Sequence, residues 1–196
     1  MEGIRSGNAG SYEKMKKKEK LAVVVLLVAF IVALVLFFTI RYKGKIFSFN
    51  KVLVYFVNYD EEQHKSYVTA VMREVAPFTG AEEKMKKSID ELLKGPIDSE
   101  IEKGIVSSMP EKASLLNVRI VDEVAYLDFS KSIEDGGGIL AMTERLAQIV
   151  YTATQFPSVK SVILEVEGKE IEYFSSEGIM DVASPMTRDN FKELVK

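Results

Sequence analysis

The 196-residue chain has no cysteine and a single histidine. Without cysteine there is no disulfide framework, no Cys-ligated zinc or iron–sulfur site, no Cys nucleophile, and no N-terminal Cys to carry a lipid. One histidine excludes a His-His metal site and leaves a His-based catalytic triad without support. A basic excess is also missing: 26 Lys and Arg stand against 29 Asp and Glu. That balance is unevenly spread. Residues 1–50 hold nine basic and three acidic residues, net +6, whereas residues 51–196 hold 17 and 26, net −9.

What the chain does have is one long apolar run. Residues 21–38 (LAVVVLLVAFIVALVLFF) are uninterrupted, and Thr39-Ile40 extend the run to 20. A helix of about 20 residues spans about 30 Å, the thickness of a bilayer core. A cleaved signal peptide would be shorter and would end in small-x-small. Here Arg41-Tyr42-Lys43-Gly44-Lys45 follows instead. The expectation is an uncleaved single-pass anchor from Leu21 to Ile40. Arg5, Lys14, Lys16, Lys17, Lys18 and Lys20 precede it, against Arg41, Lys43 and Lys45 after it. The richer positive flank stays in the cytoplasm. The boundaries read as a cytoplasmic basic tail over 1–20, a span over 21–40, a juxtamembrane linker over 41–50, and an extracytoplasmic domain over 51–196. The cluster over 14–20 is a topology signal, with lipid head-group binding the minor reading. An acidic exported domain argues against nucleic-acid binding, which needs a basic surface.

The domain's periodicity gives its elements. Lys51–Val57 is β-branched and aromatic and reads as a strand, and Ser66–Val75 as a second. Asn58–Lys65 is a polar turn. Thr79-Gly80-Ala81-Glu82 matches a capping box opening a helix over Ala81–Lys94. Met85, Ile89, Leu92 and Leu93 are its apolar face, and Lys84, Lys87 and Glu91 its wet face. Gly95-Pro96 stops it. Strands over Leu115–Val121 and Val124–Phe129 join in a tight hairpin across Asp122-Glu123. A second helix, Ile139–Gln155, presents Ile139, Met142, Leu146, Ile149, Val150 and Ala153 to the core and Glu144, Arg145, Gln148 and Thr152 to water. Val159–Val166 and Lys169–Phe174 form another hairpin across Glu167-Gly168. Ser184, with Pro185 at the first helical position, opens a short closing helix to about Val195. The order ββαββαββ predicts an α+β fold with mainly antiparallel sheets and helices packed on one face.

Several pieces, taken in order, resemble the GerMN domain family of sporulation and spore germination. Thr152-Ala153-Thr154-Gln155-Phe156-Pro157-Ser158-Val159-Lys160, then a strand and Glu167-Gly168-Lys169, resembles its signature. Val54-Tyr55-Phe56, Met72-Arg73-Glu74-Val75 and Glu91-Leu92-Leu93-Lys94-Gly95-Pro96 resemble its earlier landmarks. Met109-Pro110, Leu127-Asp128-Phe129-Ser130 and Pro185-Met186-Thr187-Arg188 resemble the later ones. The resemblance covers roughly residues 51–190. It implies an accessory domain outside the cytoplasm, similar to the ring-building folds of secretion systems, with no catalytic residues to carry over. This chain departs in having an apolar run where a lipidated Cys would stand, and one such domain where the family's namesake carries two.

Candidate chemistry is sparse. His64 lies in a polar loop after Asp60, Glu61 and Glu62. A solvated turn is preferred over a weak divalent-ion site, because the spaced D-x-D-x-D-G calcium loop is missing. Gly136-Gly137-Gly138 precedes a helix, but it matches neither G-x-x-x-x-G-K-[ST] nor G-x-G-x-x-G, so a flexible loop is preferred over phosphate binding. Asp122, Glu123, Asp128, Glu134 and Asp135 are the carboxylates that could act on glycan. They match no catalytic spacing, and no G-x-S-x-G elbow appears. Arg188 is the polar residue of most interest, read first as a structural ion pair with the sheet or Asp189, and second as a partner contact. The expectation is a non-enzymatic module of the cell envelope without metal or cofactor. Its partner would be another envelope protein or its own copies, met through sheet edges or helix faces. The alternative is a peptidoglycan-binding module using Tyr55, Tyr59, Tyr67, Tyr126, Tyr151 or Tyr173. A wall-active enzyme is the residual reading.

Overall fold

A computed structural model of the chain describes residues 22, 24–34, 37, 50–78, 80–175 and 180–195. The chain divides into two units, Met1–Ser48 and Phe49–Lys196. In the first, residues 22, 24–34 and 37 are helical and exposed. Among the described residues no helix is long and apolar enough to cross a membrane. The ends of the expected span, Leu21 and Ile40, lie outside the described residues, as do the basic tail over 1–20 and nearly all of the linker over 41–50.

The second unit is α+β, as the periodicity predicts. Its elements are β1 (Asn50–Asp60), β2 (Lys65–Val75), α1 (Ala81–Lys94), a single turn α2 (Asp98–Ile101), β3 (Leu115–Val121), β4 (Val124–Phe129), α3 (Ile139–Ala153), β5 (Ser161–Val166), and the two-residue strands β6 (Lys169–Glu170), β7 (Tyr173–Phe174) and β8 (Met180–Asp181). Two 3-10 helices, Lys131–Glu134 and Arg188–Leu194, complete it. β1 and β2 form one long antiparallel hairpin, β3-β4-β5-β6 a four-stranded sheet, and β7-β8 a small ribbon.

The expectation of mainly antiparallel pairing needs one correction. β4 and β5 run parallel, from Val124↔Ser161 to Phe129↔Val166. Parallel neighbours need a crossover of a dozen or more residues, and α3 supplies it. The hairpin across Asp122-Glu123 is present as read, whereas the one across Glu167-Gly168 pairs only Glu165–Val166 with Lys169–Glu170, and Tyr173–Phe174, expected in the same strand, pairs with Met180–Asp181 instead. The two-residue turns of both hairpins hold Asp122, Glu123, Glu167 and Gly168 at φ of 49°, 64°, 51° and 78°. Positive φ at both central positions is the type I′ geometry that matches strand twist.

α1 begins and ends where the sequence predicts, but its cap differs. Gly80 occupies the N-cap in extended conformation without a side-chain bond, and Thr79 lies outside the described residues. The Glu82 carboxylate reaches β3 instead, accepting the Ile120 N–H at 2.9 Å. Gly95 ends the helix at φ 80°, and its N–H donates to the Leu92 carbonyl. The closing helix is 3-10, begins at Arg188 and is capped by Thr187 rather than Ser184. Met186 is consumed in a bridge to Val162.

α1 touches β1, β2 and β3, and α3 touches β1, β2, β5 and the closing 3-10 helix. Both therefore link the hairpin to the mixed sheet. The core lies between them: Val54, Phe56, Met85, Ile89, Leu92, Leu127, Phe129, Ile149 and Leu164 are at most 1% exposed. Burying such a side chain contributes about 1.5–3 kcal/mol each. Truncating Phe129 to Ala at the centre costs about 3–5 kcal/mol.

Candidate interaction site

The hairpin is asymmetric in how its two edges are treated. On β1, the Leu53 N–H donates to Gln155 Oε1 at 2.7 Å, and Gln155 Nε2 returns a bond to the Leu53 carbonyl at 2.6 Å. The Tyr55 N–H donates to Thr152 Oγ1 at 3.0 Å. Val57 exchanges backbone bonds of 2.9 and 2.8 Å with Val106. Side chains at and just past the end of α3, with the backbone of Val106, thus close this edge like an extra strand.

Those bonds fix the polarity of β2. Opposed residues in an antiparallel pair either bond each other or both point away. Leu53, Tyr55 and Val57 point away from β2, and they stand opposite Met72, Ala70 and Val68. The N–H and C=O groups of those three, with Ser66 and Glu74 in the same phase, therefore face the outer edge of β2. Among the described residues nothing bonds to that edge. Ala70 and Glu74 are exposed, and Met72 is 59% exposed. An open strand of 11 residues is a template for a further strand.

Behind the hairpin, α3 carries a polar stripe that the amphipathic reading misplaces. Arg145 is 3% exposed, and Gln148 and Thr152 are fully buried, whereas Ile139, assigned to the core, is 65% exposed. From Arg145 to Ala153 every residue of the helix is buried. Each polar group has a backbone target. Arg145 donates from Nε to the Ser108 carbonyl (2.8 Å), from Nη1 to Ile133 (2.7 Å) and from Nη2 to Gly136 (3.1 Å). Burial pushes its pKa down, and the Asp135 charge opposes that shift. Gln148 Nε2 donates to the Glu144 carbonyl. The stripe at 145, 148, 152 and 155 is the signal that could have revealed a helix buried all round.

Arg73 anchors β2 from its inner face. It forms a bidentate pair with Glu100 at 2.5 and 2.6 Å, lies 3.9 Å from Glu91, and sits 5.5 Å from the centre of the Phe56 ring. The hydrogen bond to Arg73 holds the Glu100 carboxyl below the usual range despite desolvation, and the N–H of Ile97 adds to it.

Among the described residues Arg188 makes neither expected ion pair. Its guanidinium lies 4.7 Å from the Tyr151 ring centre and 5.4 Å from that of Tyr55. It donates to Thr154 Oγ1 at 2.8 Å and to the Tyr151 carbonyl at 3.2 Å. Cation–π stacking and these bonds fasten the closing 3-10 helix to β1 and α3.

The other sequence candidates are not brought together. His64 is an exposed residue of the hairpin turn at φ 51°, with Nδ1 3.3 Å from the Tyr59 hydroxyl. Asp60 builds that turn by accepting the N–H groups of Glu62 and Gln63. Asp128 is buried and accepts the Gly168 N–H at 2.8 Å. Glu134 is buried, paired with Lys131, and accepts the Ser175 N–H. Asp122 and Glu123 form a turn on another hairpin. Among the described residues no group of three His, Cys, Asp or Glu could hold a metal. Gly136 and Gly137 take positive φ. A Cβ on Gly137 would stand 2.8 Å from Ala141 Cβ and 3.7 Å from Arg145 Nη2, so the glycines serve the Arg145 contact. Of the six tyrosines only Tyr59 and Tyr173 are exposed, on separate elements, so the six do not combine into an aromatic groove.

Comparison with known proteins accords with this architecture. The family model described as "Germane: Sporulation and spore germination" matches residues 53–172. The tandem GerMN domains of the sporulation protein GerM from Bacillus subtilis are similar at 27% identity and a TM-score of 0.57, over 70% of this chain. This chain spans 45% of the length of that protein. The first GerMN domain of the same protein aligns over 71% of this chain and 98% of its own, at 21% identity and a TM-score of 0.56. A putative lipoprotein from Clostridium perfringens aligns over 72% of this chain and 89% of its own, at 21% identity and a TM-score of 0.51. Among curated proteins none matches. Matched over more than half its length by that model, the chain belongs to the Germane family of sporulation and spore germination.

Proposed function

We propose that this protein is a membrane-tethered assembly module of the bacterial cell envelope. Its folded unit stands outside the cytoplasm and docks a partner along the outer edge of β2. The observation that carries this reading is the contrast between the two edges of one hairpin. β1 is closed by Gln155, Thr152 and Val106, while β2 presents five residues' worth of unpaired backbone among the described residues. Backbone bonds along such an edge give affinity, and alternate side chains give specificity. The tether and its direction are supported by the 20-residue apolar run and its positive flank. A place in sporulation or germination is supported by the family.

The test is Ala70→Pro in the full-length protein, held in membranes. The Ala70 N–H points to the open edge, so proline there removes a docking bond and leaves the β1–β2 ladder intact. Wild-type membranes treated with an amine-reactive cross-linker should give a discrete higher-mass species. Ala70→Pro should lose it while melting within about 5 °C of wild type. A species that persists in a folded Ala70→Pro protein would refute edge docking.

A further inference from the structure

The open edge of β2 is self-complementary, and we infer that its occupant is the β2 edge of a second copy of this chain, paired antiparallel about a two-fold axis at Ala70. This inference rests on the edge-docking reading above and adds the identity of the partner. β2 runs from Lys65 to Val75, so Ala70 is its midpoint. The outward-facing residues are Ser66, Val68, Ala70, Met72 and Glu74, which are symmetric about that midpoint. An axis at Ala70 therefore places each of them opposite another outward-facing residue of the partner copy. An axis moved to either Val68 or Met72 leaves one end of the set overhanging.

The side chains suit the same register. The smallest of the five, Ala70, meets its own copy at the axis, where two identical side chains must stand side by side. Val68, half-buried against the core, faces the exposed Met72 of the second copy twice, an apolar cross-strand pair. Ser66 faces Glu74 twice, hydroxyl to carboxylate. Thr69 faces Val71, both β-branched. Opposite charges or apolar matches favour cross-strand pairs, and like charges opposed disfavour them. Here no like charges stand opposite: Lys65 faces Val75 and Glu74 faces Ser66. An isologous contact of this kind closes on itself and joins two copies.

Pairing two single strands buries less than the roughly 1,200–2,000 Å² of a standard interface. Association is therefore weak between free molecules and depends on confinement, which raises effective concentration without new contacts. The experiment accordingly uses the full chain in membranes.

The chain lacks cysteine, so each introduced thiol is alone. Directly opposed, bonded residues have Cα atoms about 5.5 Å apart, within the roughly 4.4–6.8 Å that a disulfide spans. Under mild oxidation Ala70→Cys should form a disulfide-linked dimer. Val68→Cys and Met72→Cys should each link poorly alone and link several-fold better when the two variants share one membrane. Equal linking of all three single variants would show collision without register and overturn the proposal. So would failure of Ala70→Cys to link in a protein whose melting temperature is unchanged. If that failure accompanies a cross-linked species still abolished by Ala70→Pro, self-pairing falls while edge docking by another extended segment stands.

Discussion

Replacing Arg145 with Met tests the reading of the Arg145–Ala153 part of α3 as buried all round. The change keeps an unbranched apolar stem and removes three charge-assisted bonds, to the carbonyls of Ser108, Ile133 and Gly136. Hydrogen bonds to a charged group contribute about 1.5–3 kcal/mol each, and a buried acceptor left unpaired costs about 1–3 kcal/mol. The buried Met side chain offsets part of this, so the net loss is on the order of 3–5 kcal/mol. For a unit of this size about 1 kcal/mol moves the melting temperature by about 2–4 °C, which places the expected drop near 10 °C. Arg145→Lys keeps the charge, but one ammonium cannot span three carbonyls in different loops, and it should recover only part of the loss. Thermal melting by circular dichroism and urea titration would measure both variants. A loss below about 1 kcal/mol for the Met variant would refute the clamp, since it would mean that water already serves those carbonyls.

Other outcomes follow from the same contacts. The Glu100 carboxyl is lowered in the folded state, so the unfolded chain binds more protons as pH falls toward and below the usual glutamate range near 4.5. Stability from the Arg73 pair is present above that range and is lost as pH falls through the folded value. Glu100→Gln should flatten that acid limb and, at neutral pH, cost about 3 kcal/mol by leaving Arg73 only its longer pair with Glu91, as read by urea titration at pH 3 to 7. Gly137→Ala should cost about 2–3 kcal/mol, combining left-handed strain with the short approach to Ala141, whereas Gly136→Ala, which meets no neighbour, should cost only about 1–2 kcal/mol; melting of the pair separates strain from clash. Arg188→Ala should lower stability by about 1–2 kcal/mol through loss of the tyrosine stack and two hydrogen bonds, with Lys a partial substitute. Enhanced proteolysis after Met186 should accompany it.

Much of the fold is legible in the sequence because local signals and the final structure agree. The Ala81–Lys94 helix, the Asp122-Glu123 and Glu167-Gly168 turns and the β1–β2 hairpin rest on periodicity and turn chemistry, which are local. The misassignments are all long-range. Arg145, Gln148 and Thr152 look wet because polar residues usually are. Arg145 and Thr152 are buried because backbone groups 9 to 97 residues away in sequence, including the Tyr55 N–H on the edge of β1, bond to them, and Gln148 because its amide turns back to the Glu144 carbonyl. The parallel β4–β5 pairing follows from the crossover through α3, which hairpin counting overlooks. Arg188 was expected to meet a carboxylate, but its partners Tyr55 and Tyr151 converge only in three dimensions. The open edge of β2 is likewise invisible in sequence. It emerges from which phase of β1 is already bonded elsewhere.

Residue-resolved amide hydrogen exchange on the full-length protein tests the central claim most directly. The ladder amides of Thr69 and Val71 point at β1 and should be protected in every sample. The outward amides of Val68, Ala70 and Met72 should exchange fast in protein dispersed in detergent at high dilution and become protected in native membranes, where the edge is docked. Equal exchange of those three amides in both samples would contradict the account.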